Sequence, residues 1–249
     1  MRPVTDRLKV LLIDGSPRGK QGNTYLVSRA FVEGMGDIEL KEIPVYMANI
    51  QHCRGCLHCL KKQPGYCSIT DDDMAAILQD FLWADLCIWS MPVFAFGIPS
   101  KTKALIDRMM PMFSLSMDID KTGSPVHPLL DPGYRSENLL ISTGGFPVAE
   151  NNFEPLVIYM ERRFRDSFRG AITVPQGPLI RSDPNDPPQS PEEKEAVSRL
   201  LDKARAAGAY YIENRAFSKE ILDGLKKPMI DPQDYINGTN EIAASLSER

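Results

Sequence analysis

The stretch "LKVLLIDGSPRGKQGNTYLVSRAFVEGMG", residues 8–36, decides the fold. Its opening, "LKVLLIDGS" (8–16), is a short apolar run ending in a glycine turn. A run without polar alternation reads as a strand buried on both faces, as in a parallel sheet. Its close, "NTYLVSRAFVEGMG" (23–36), places Leu26, Ala30, Phe31 and Met35 at helical spacing and ends at glycines. The chain thus opens strand, loop, helix, and the question is whether that order repeats.

It does. "DIELKEIPVYM" (37–47), "DLCIWSMPV" (85–93), "ENLLISTGG" (137–145) and "RGAITVPQ" (169–176) read as further strands. "TDDDMAAILQDFLWA" (70–84), "SKTKALIDRMM" (100–110), "FEPLVIYMERRFRDS" (153–167) and "SPEEKEAVSRLLDKARAAGAYYIEN" (190–214) read as helices. Thr70 with Asp73 three residues on predicts a capping box. Ser190 and Pro191 open the last helix. The alternation predicts an α/β fold, a doubly wound five-stranded parallel sheet with helices on both faces, over residues 1–217. A cysteine-bearing insertion (48–69) and a Gly/Pro-containing insertion (111–136) interrupt it, and a weakly periodic extension (218–249) follows. Long loops of this kind carry function or meet partners.

Composition narrows the classes. The 249 residues are 43% hydrophobic and 25% charged, ordinary for a globular chain able to bury a core without disulfides. The net charge of −4 argues against a nucleic-acid partner, which needs a basic face. No apolar run approaches the roughly 18 residues of a membrane span. The apolar stretch in "MRPVTDRLKVLLIDGS" is too short for a signal peptide and lacks a small-residue cleavage site. The expected setting is a reducing cytoplasm, where five cysteines, an odd number, do not suggest a disulfide framework.

In a doubly wound sheet, ligands sit beyond the carboxyl ends of the strands. The first such loop is "GSPRGKQGNT" (15–24), which lacks both the dinucleotide G-x-G-x-x-G and the P-loop pattern. It leads straight into a helix N-terminus, whose free N–H groups favour a phosphate. Ser16, Asn23 and Thr24 add side-chain donors and Arg18 a charge, and Gly22 is among the loop's small residues. The alternative is an ordinary turn with Asn23 as cap.

This loop resembles the phosphate loop of the flavodoxin-like NAD(P)H-dependent oxidoreductases that bind FMN. "SMPVFAFGIPSKTKALIDRM" (90–109) resembles the family segment whose Pro-Val-aromatic stretch lies along the flavin ring, here Pro92, Val93, Phe94, Ala95, Phe96 and Gly97. Phe94 stands where tyrosine is common, so a phenolic hydrogen bond is missing while the apolar contact remains. The alternative for "PVFAFG" is a core run. "STGGFP" (142–147) is similar to the loop that meets the other side of the flavin, here through Thr143, Gly144 and Gly145. The resemblance implies a flavodoxin-like fold with FMN held by these three loops. The cofactor carries the redox chemistry, so no acid–base pair is required and no catalytic side chain is assigned. His127 reads as a solvated loop histidine.

"CRGCLHCLKKQPGYC" (53–67) holds four of the five cysteines in a C-x2-C-x2-C-x7-C spacing. Structural zinc sites commonly use two separated pairs, whereas the overlapping triplet matches ferredoxin-type iron–sulfur loops. Gly55 and Gly65 give the backbone freedom to wrap. Zinc with His52 or His58 as substitute ligands, an empty remnant, and a reactive thiol all compete. The pattern, with the trailing "CSITDDDM", resembles the iron–sulfur flavoprotein family, and the likeness extends over residues 8–176. It implies a [4Fe–4S] cluster on Cys53, Cys56, Cys59 and Cys67 beside FMN, in a homodimer or homotetramer. Cys87 reads as a small buried hydrophobe.

The expected function is electron transfer between a small-molecule or small-protein redox partner and an acceptor. The alternative is an NAD(P)H-dependent flavin or quinone reductase with the cysteines empty or zinc-bound. A third reading, a regulatory module, would use residues 111–136 and 218–249 as its surface.

Overall fold

The computed structural model describes residues 7–180 and 189–247. Residues 1–6, 181–188 and 248–249 of the sequence-assigned spans lie outside the described residues.

The elements run β1 (Leu8–Asp14), α1 (Asn23–Gly34), β2 (Ile38–Pro44), α2 (His58–Lys61), α3 (Met74–Trp83), β3 (Leu86–Ser90) and α4 (Ser100–Asp107). A two-stranded hairpin of β4 (Asp118–Ile119) and β5 (Pro125–Val126) follows. Then come β6 (Glu137–Thr143), α5 (Glu154–Phe164), β7 (Phe168–Val174), α6 (Pro191–Asn214), α7 (Lys219–Lys226) and α8 (Pro232–Ser247). The five-stranded sheet is parallel throughout, in the order β2-β1-β3-β6-β7. The chain leaves β1 toward β2 and then crosses back to β3, which makes the β1/β3 boundary the topological switch point.

Both faces of the sheet are covered over its central strands, which is why β1, β3 and β6 read as continuous apolar runs. Leu11, Ile13, Cys87, Trp89 and Leu140 face a core completed by Phe81, Leu105 and Leu156 of α3, α4 and α5. Val10, Leu12, Ile88 and Ile141 face the opposite core, with Val27 and Phe31 of α1 and Ala204, Ala207 and Tyr211 of α6. Cys87 is fully buried, as its strand position implied.

Three local expectations are corrected. The capping box does not form: α3 starts at Met74, whose N–H is accepted by Asp72 Oδ1 at 3.2 Å, not by Thr70. Asp73 instead accepts the Asn49 N–H at 2.7 Å. Tertiary partners thus claim the acidic residues that would have capped locally. The 218–249 extension is, over its described residues, helical at 219–226 and 232–247, with Leu225 of α7 and Tyr235 of α8 as its buried anchors. So few anchors give little periodicity to read. The expected strand 85–93 is regular only to Ser90, and Met91–Val93 continue beside β6 through Met91 N–H to Ile141 O and Val93 N–H to Thr143 O. The α6 start agrees with the sequence: Ser190 and Glu193 form a reciprocal capping box ahead of Pro191.

Helices α1 and α6 approach backbone to backbone. A Cβ at Gly208 would lie 1.9 Å from the Phe31 carbonyl oxygen, and one at Gly34 would lie 1.9 Å from that of Arg205. Alanine normally favours a helix over glycine by about 1 kcal/mol, but a backbone oxygen cannot rotate away. Gly208→Ala should therefore destabilise the chain by about 2–3 kcal/mol, an overpacking cost, read as a lower urea midpoint with unchanged slope.

Candidate functional site

The loops that follow β1, β3 and β6 emerge together because their strands are parallel and adjacent. In the first, Ser16, Gly22 and Thr24 are buried, Asn23 is half-buried and Arg18 is exposed at the rim. The Ser16 N–H donates to Asp14 Oδ1 at 3.1 Å, and Ser16 Oγ accepts the Arg18 N–H at 3.2 Å, so the loop folds on its own serine. A Cβ at Gly22 would sit 2.3 Å from Ser16 Oγ and 2.9 Å from the Gly19 carbonyl, so only glycine closes this turn. The N–H groups of the first turn of α1 have no intrahelical acceptor and point out of the helix end. Asn23 does not cap that helix: its Nδ2 donates to the Gly177 carbonyl at 2.8 Å, and its buried Oδ1 has no hydrogen-bond partner.

Hydrogen bonds tie this loop to the others. Thr24 Oγ1 and Thr143 Oγ1 share a bond at 2.6 Å. Val93 N–H donates to the Thr143 carbonyl at 3.0 Å, and Gly144 N–H to the Val174 carbonyl at 3.0 Å. Pro92 and Val93 are tucked in, whereas Phe94, Ala95 and Phe96 stand out, the two phenylalanines 49% and 48% exposed. Phe94 and Gly97 exchange N–H···O bonds of 3.0 and 2.8 Å around a two-residue turn. Ala95 (φ 46°) and Phe96 (φ 62°) both adopt left-handed backbone there. Non-glycine residues pay for that region with steric strain, which concentrates at functional sites. Phe96 stacks on Phe146 at 5.5 Å and 16°, and Phe146 meets Phe153 edge-on, so the strained turn leans on the third loop. A core run is therefore excluded for "PVFAFG": it presents aromatic surface outward, beside buried Gly144 and exposed Gly145.

Two further residues belong to this edge and were missed in the sequence. Gln176, fully buried with φ 56°, donates from Nε2 to the Pro147 and Ile230 carbonyls, and its Oε1 accepts the N–H groups of Met229 and Ile230. Tyr235 of α8 donates its hydroxyl to the Gly145 carbonyl at 3.0 Å. The C-terminal helices thus hold the third loop from behind. The only local hint was a glutamine at the end of an apolar strand.

The cysteine loop runs from β2 to α3 and so leaves the same edge. Gly55 (φ 62°), Leu57 (φ 55°) and Gly65 (φ 89°) turn it. Cys53 and Cys56 are exposed, Cys67 is half-buried and Cys59 is buried at the start of α2. Cys56 Sγ and Ser68 Oγ lie 3.3 Å apart, and this hydrogen bond holds the Cys56 thiol below its usual range. Burial, with the charges of Cys67, Cys53 and Cys56 behind it, pushes the Cys59 thiol up. Among the described residues no three His, Cys, Asp or Glu side chains form a metal-holding group. The 111–136 insertion packs alongside: Met112, Leu129 and Leu130 face Tyr66 and Cys67 across a cavity of about 340 Å³. His127 is exposed and bonded through Nδ1 to the Ser116 carbonyl.

A five-stranded parallel sheet with ligand-type loops gathered on its carboxyl edge defines a flavodoxin-like protein. This chain belongs to the flavodoxin-like fold family, which matches its residues 8–166. Two iron–sulfur flavoproteins of Methanocaldococcus jannaschii are similar to it. One is 34% identical over 103 residues, 41% of this chain and 50% of that protein, and the other is 36% identical over 107 residues, 42% and 53%. The matched part is thus about half the length of these curated relatives. An FMN-dependent NADH-azoreductase of Bacillus anthracis, solved with FMN, shares the fold at TM-score 0.57 and 19% identity over 82% of this chain and 99% of its own. Among the described residues, no helix is long and apolar enough to cross a membrane.

Asp14, under the first loop, is the one carboxyl here with a large shift. Burial pushes it up from 3.8 to about 6, against the Ser16 N–H bond, with Glu42 adding to the rise and Lys20 opposing it. The folded chain holds this proton to higher pH than the unfolded chain does. Ionised Asp14 therefore costs stability above about pH 6, and the cost fades as pH falls from 6 toward 3.8. Asp14→Asn, which keeps an acceptor for Ser16, should raise the Tm of the ligand-free chain at pH 8. The gap to wild type should close between pH 6 and 4, as calorimetry across that range would record.

Proposed function

We propose that this chain is a flavin-dependent oxidoreductase. It binds FMN along the loops after β1, β3 and β6 and carries an iron–sulfur cluster on the neighbouring cysteine loop. The observation that carries this reading is the outward, strained Phe94–Gly97 turn beside the phosphate-type loop on one sheet edge. The residues suit the ligand in three ways. The helix N–H groups of α1, with Ser16 and Thr24, offer donors to a phosphate, and Arg18 at the rim adds positive charge. The orphaned Asn23 Oδ1 offers an acceptor, which suits a ribityl hydroxyl and not a phosphate. Pro92, Val93, Phe94, Ala95, Phe96 and Gly97 on one side, and Thr143, Gly144 and Gly145 on the other, form an apolar-edged slot for a flat ring.

FMN supplies hydride and single-electron chemistry when bound. The chain's own work is to orient the ring and limit water around it. The Phe96–Phe146–Phe153 stack keeps the turn raised, and Gln176 and Tyr235 fix the opposite wall. Cys53, Cys56, Cys59 and Cys67 would hold a [4Fe–4S] cluster. Four thiols on one glycine-turned loop are the donor set that such a cluster takes. The names of the two curated relatives support the same assignment. Electrons then pass between a small redox partner and an acceptor, and a homodimer or homotetramer in the cytoplasm belongs to this reading.

The cleanest test is anaerobic purification. The expected product is brown, with FMN and about four irons and acid-labile sulfides per chain, the content of one cubane. A yellow, iron-free protein under those conditions sinks the cluster half. Gly22→Val should abolish FMN retention while leaving the circular dichroism unchanged, and retention of flavin by that variant would remove the first loop from the site.

A second reading is favoured by the unconverged thiols. In it the chain is an NAD(P)H-dependent flavin or quinone reductase, like the azoreductase in fold, with the cysteines empty or zinc-bound. Rapid flavin bleaching by NADH or NADPH, unchanged in Cys53→Ala, supports it. Inertness toward both nicotinamides removes it.

A further inference from the structure

The neck of the cysteine loop is pinned by exposed bonds from Asn49 and Gln51 to residues 71–73 and, beneath them, by one buried cation that reaches both loop ends. Arg108 follows α4, and its side chain and that of Asp72 are each 1% exposed. Arg108 Nη1 donates to Asp72 Oδ2 at 2.5 Å and Nη2 to Asp72 Oδ1 at 3.2 Å, a bidentate fork. The same two nitrogens donate to the Gln51 carbonyl at 2.8 Å and the Ile69 carbonyl at 3.4 Å. Gln51 stands two residues before Cys53, and Ile69 two residues after Cys67. Asp72 completes the closure by accepting the Gln51 N–H at 3.1 Å. The guanidinium is also within hydrogen-bonding and electrostatic reach of Cys67, and its buried Nε has no hydrogen-bond partner.

A buried ion pair is a poor way to gain stability, because well-packed apolar residues of the same volume commonly do as well or better. Its use here needs another reason, and its partners supply one. Every hydrogen bond made by this guanidinium goes to the neck of the cysteine loop.

We infer that Arg108 is the positioning residue of the four-cysteine site. It fixes the separation of the loop ends that carry Cys53 and Cys67, and its charge offsets the negative charge that four thiolate ligands collect. Asp72 holds the guanidinium in the one orientation that reaches both ends. The inference rests on reading residues 53–67 as a cluster loop, but the clamp is a property of the metal-free chain and can be tested there.

The test compares Arg108→Lys, Arg108→Met and Asp72→Asn with wild type. In the reduced, metal-free protein, hydrogen exchange at Gln51 and Ile69 should accelerate at least tenfold in Arg108→Lys and Arg108→Met, with β1 and β3 amides unmoved. Unchanged exchange at the neck overturns the clamp. After reconstitution with ferric iron, sulfide and a thiol reductant, the cluster's midpoint potential should fall in Arg108→Met and stay near wild type in Arg108→Lys. A nearby positive charge favours the reduced, more negative cluster. Equal potentials in all three proteins overturn the charge role. If Arg108→Met does not fold, Arg108→Lys and Asp72→Asn decide the exchange arm. The potential is then read in Asp72→Asn, where the freed guanidinium charge should raise it. A wild-type chain that takes up no iron defeats the cluster reading itself, while the exchange comparison still decides the clamp.

Discussion

Parallel pairing of all five strands is the constraint on which the rest of this molecule depends. Because β1, β2, β3, β6 and β7 point the same way, every loop that follows a strand opens on one edge. The order β2-β1-β3-β6-β7 adds the switch between β1 and β3, where diverging loops leave a crevice. The phosphate-type loop, the aromatic turn, the glycine loop and the cysteine loop are far apart in sequence. They share an edge for this single reason. Short bonds then convert shared location into fixed geometry, the Thr24–Thr143 hydroxyl pair and the Asn23–Gly177 amide bond foremost.

The edge is also where the chain departs from what stability alone would favour. Ala95 and Phe96 hold left-handed backbone at a cost on the order of 1–3 kcal/mol each. Asp14 is buried enough to resist ionisation, Asn23 Oδ1 and Ser142 Oγ are buried without partners, and Arg108 and Asp72 bring a full ion pair out of water. Of these, Ser142 sits within β6, and the others lie in the loops or at the element ends beside them. Left-handed non-glycine backbone also occurs at element ends away from this edge, at Arg165 and Arg215, but among the described residues only here does it coincide with outward-facing aromatic side chains.

The C-terminal helices change how the site is understood. The family match ends at residue 166, before Gln176 and Tyr235. Yet Gln176 joins the 146–147 backbone to the 229–230 backbone, and Tyr235 holds the Gly145 carbonyl. The wall behind the third loop is therefore supplied by a segment beyond the shared core.

Much of this was readable from residue order. Continuous apolar runs announced the central strands β1, β3 and β6, because a strand covered on both faces needs no polar alternation, whereas the edge strand β2 alternates with charged residues. "GSPRGKQGNT", "PVFAFG" and "STGGFP" marked their own loops, since turn chemistry and helix starts are set by neighbours a few residues away. The cysteine spacing identified a candidate donor set, though not its convergence. Only the tertiary structure decided the rest. Arg108 and Asp72 are 36 residues apart, and Gln176 and Ile230 are 54 apart, separations at which no local pattern survives. Thr70 looked like a cap until Asp72 and Asp73 found distant partners, and the choice between an outward loop and a core run for Phe94–Gly97 was made only by the turn that carries it outward. Local chemistry specifies which elements form. Which buried polar group meets which loop depends on how those elements are brought together, and that is settled only when the sheet closes.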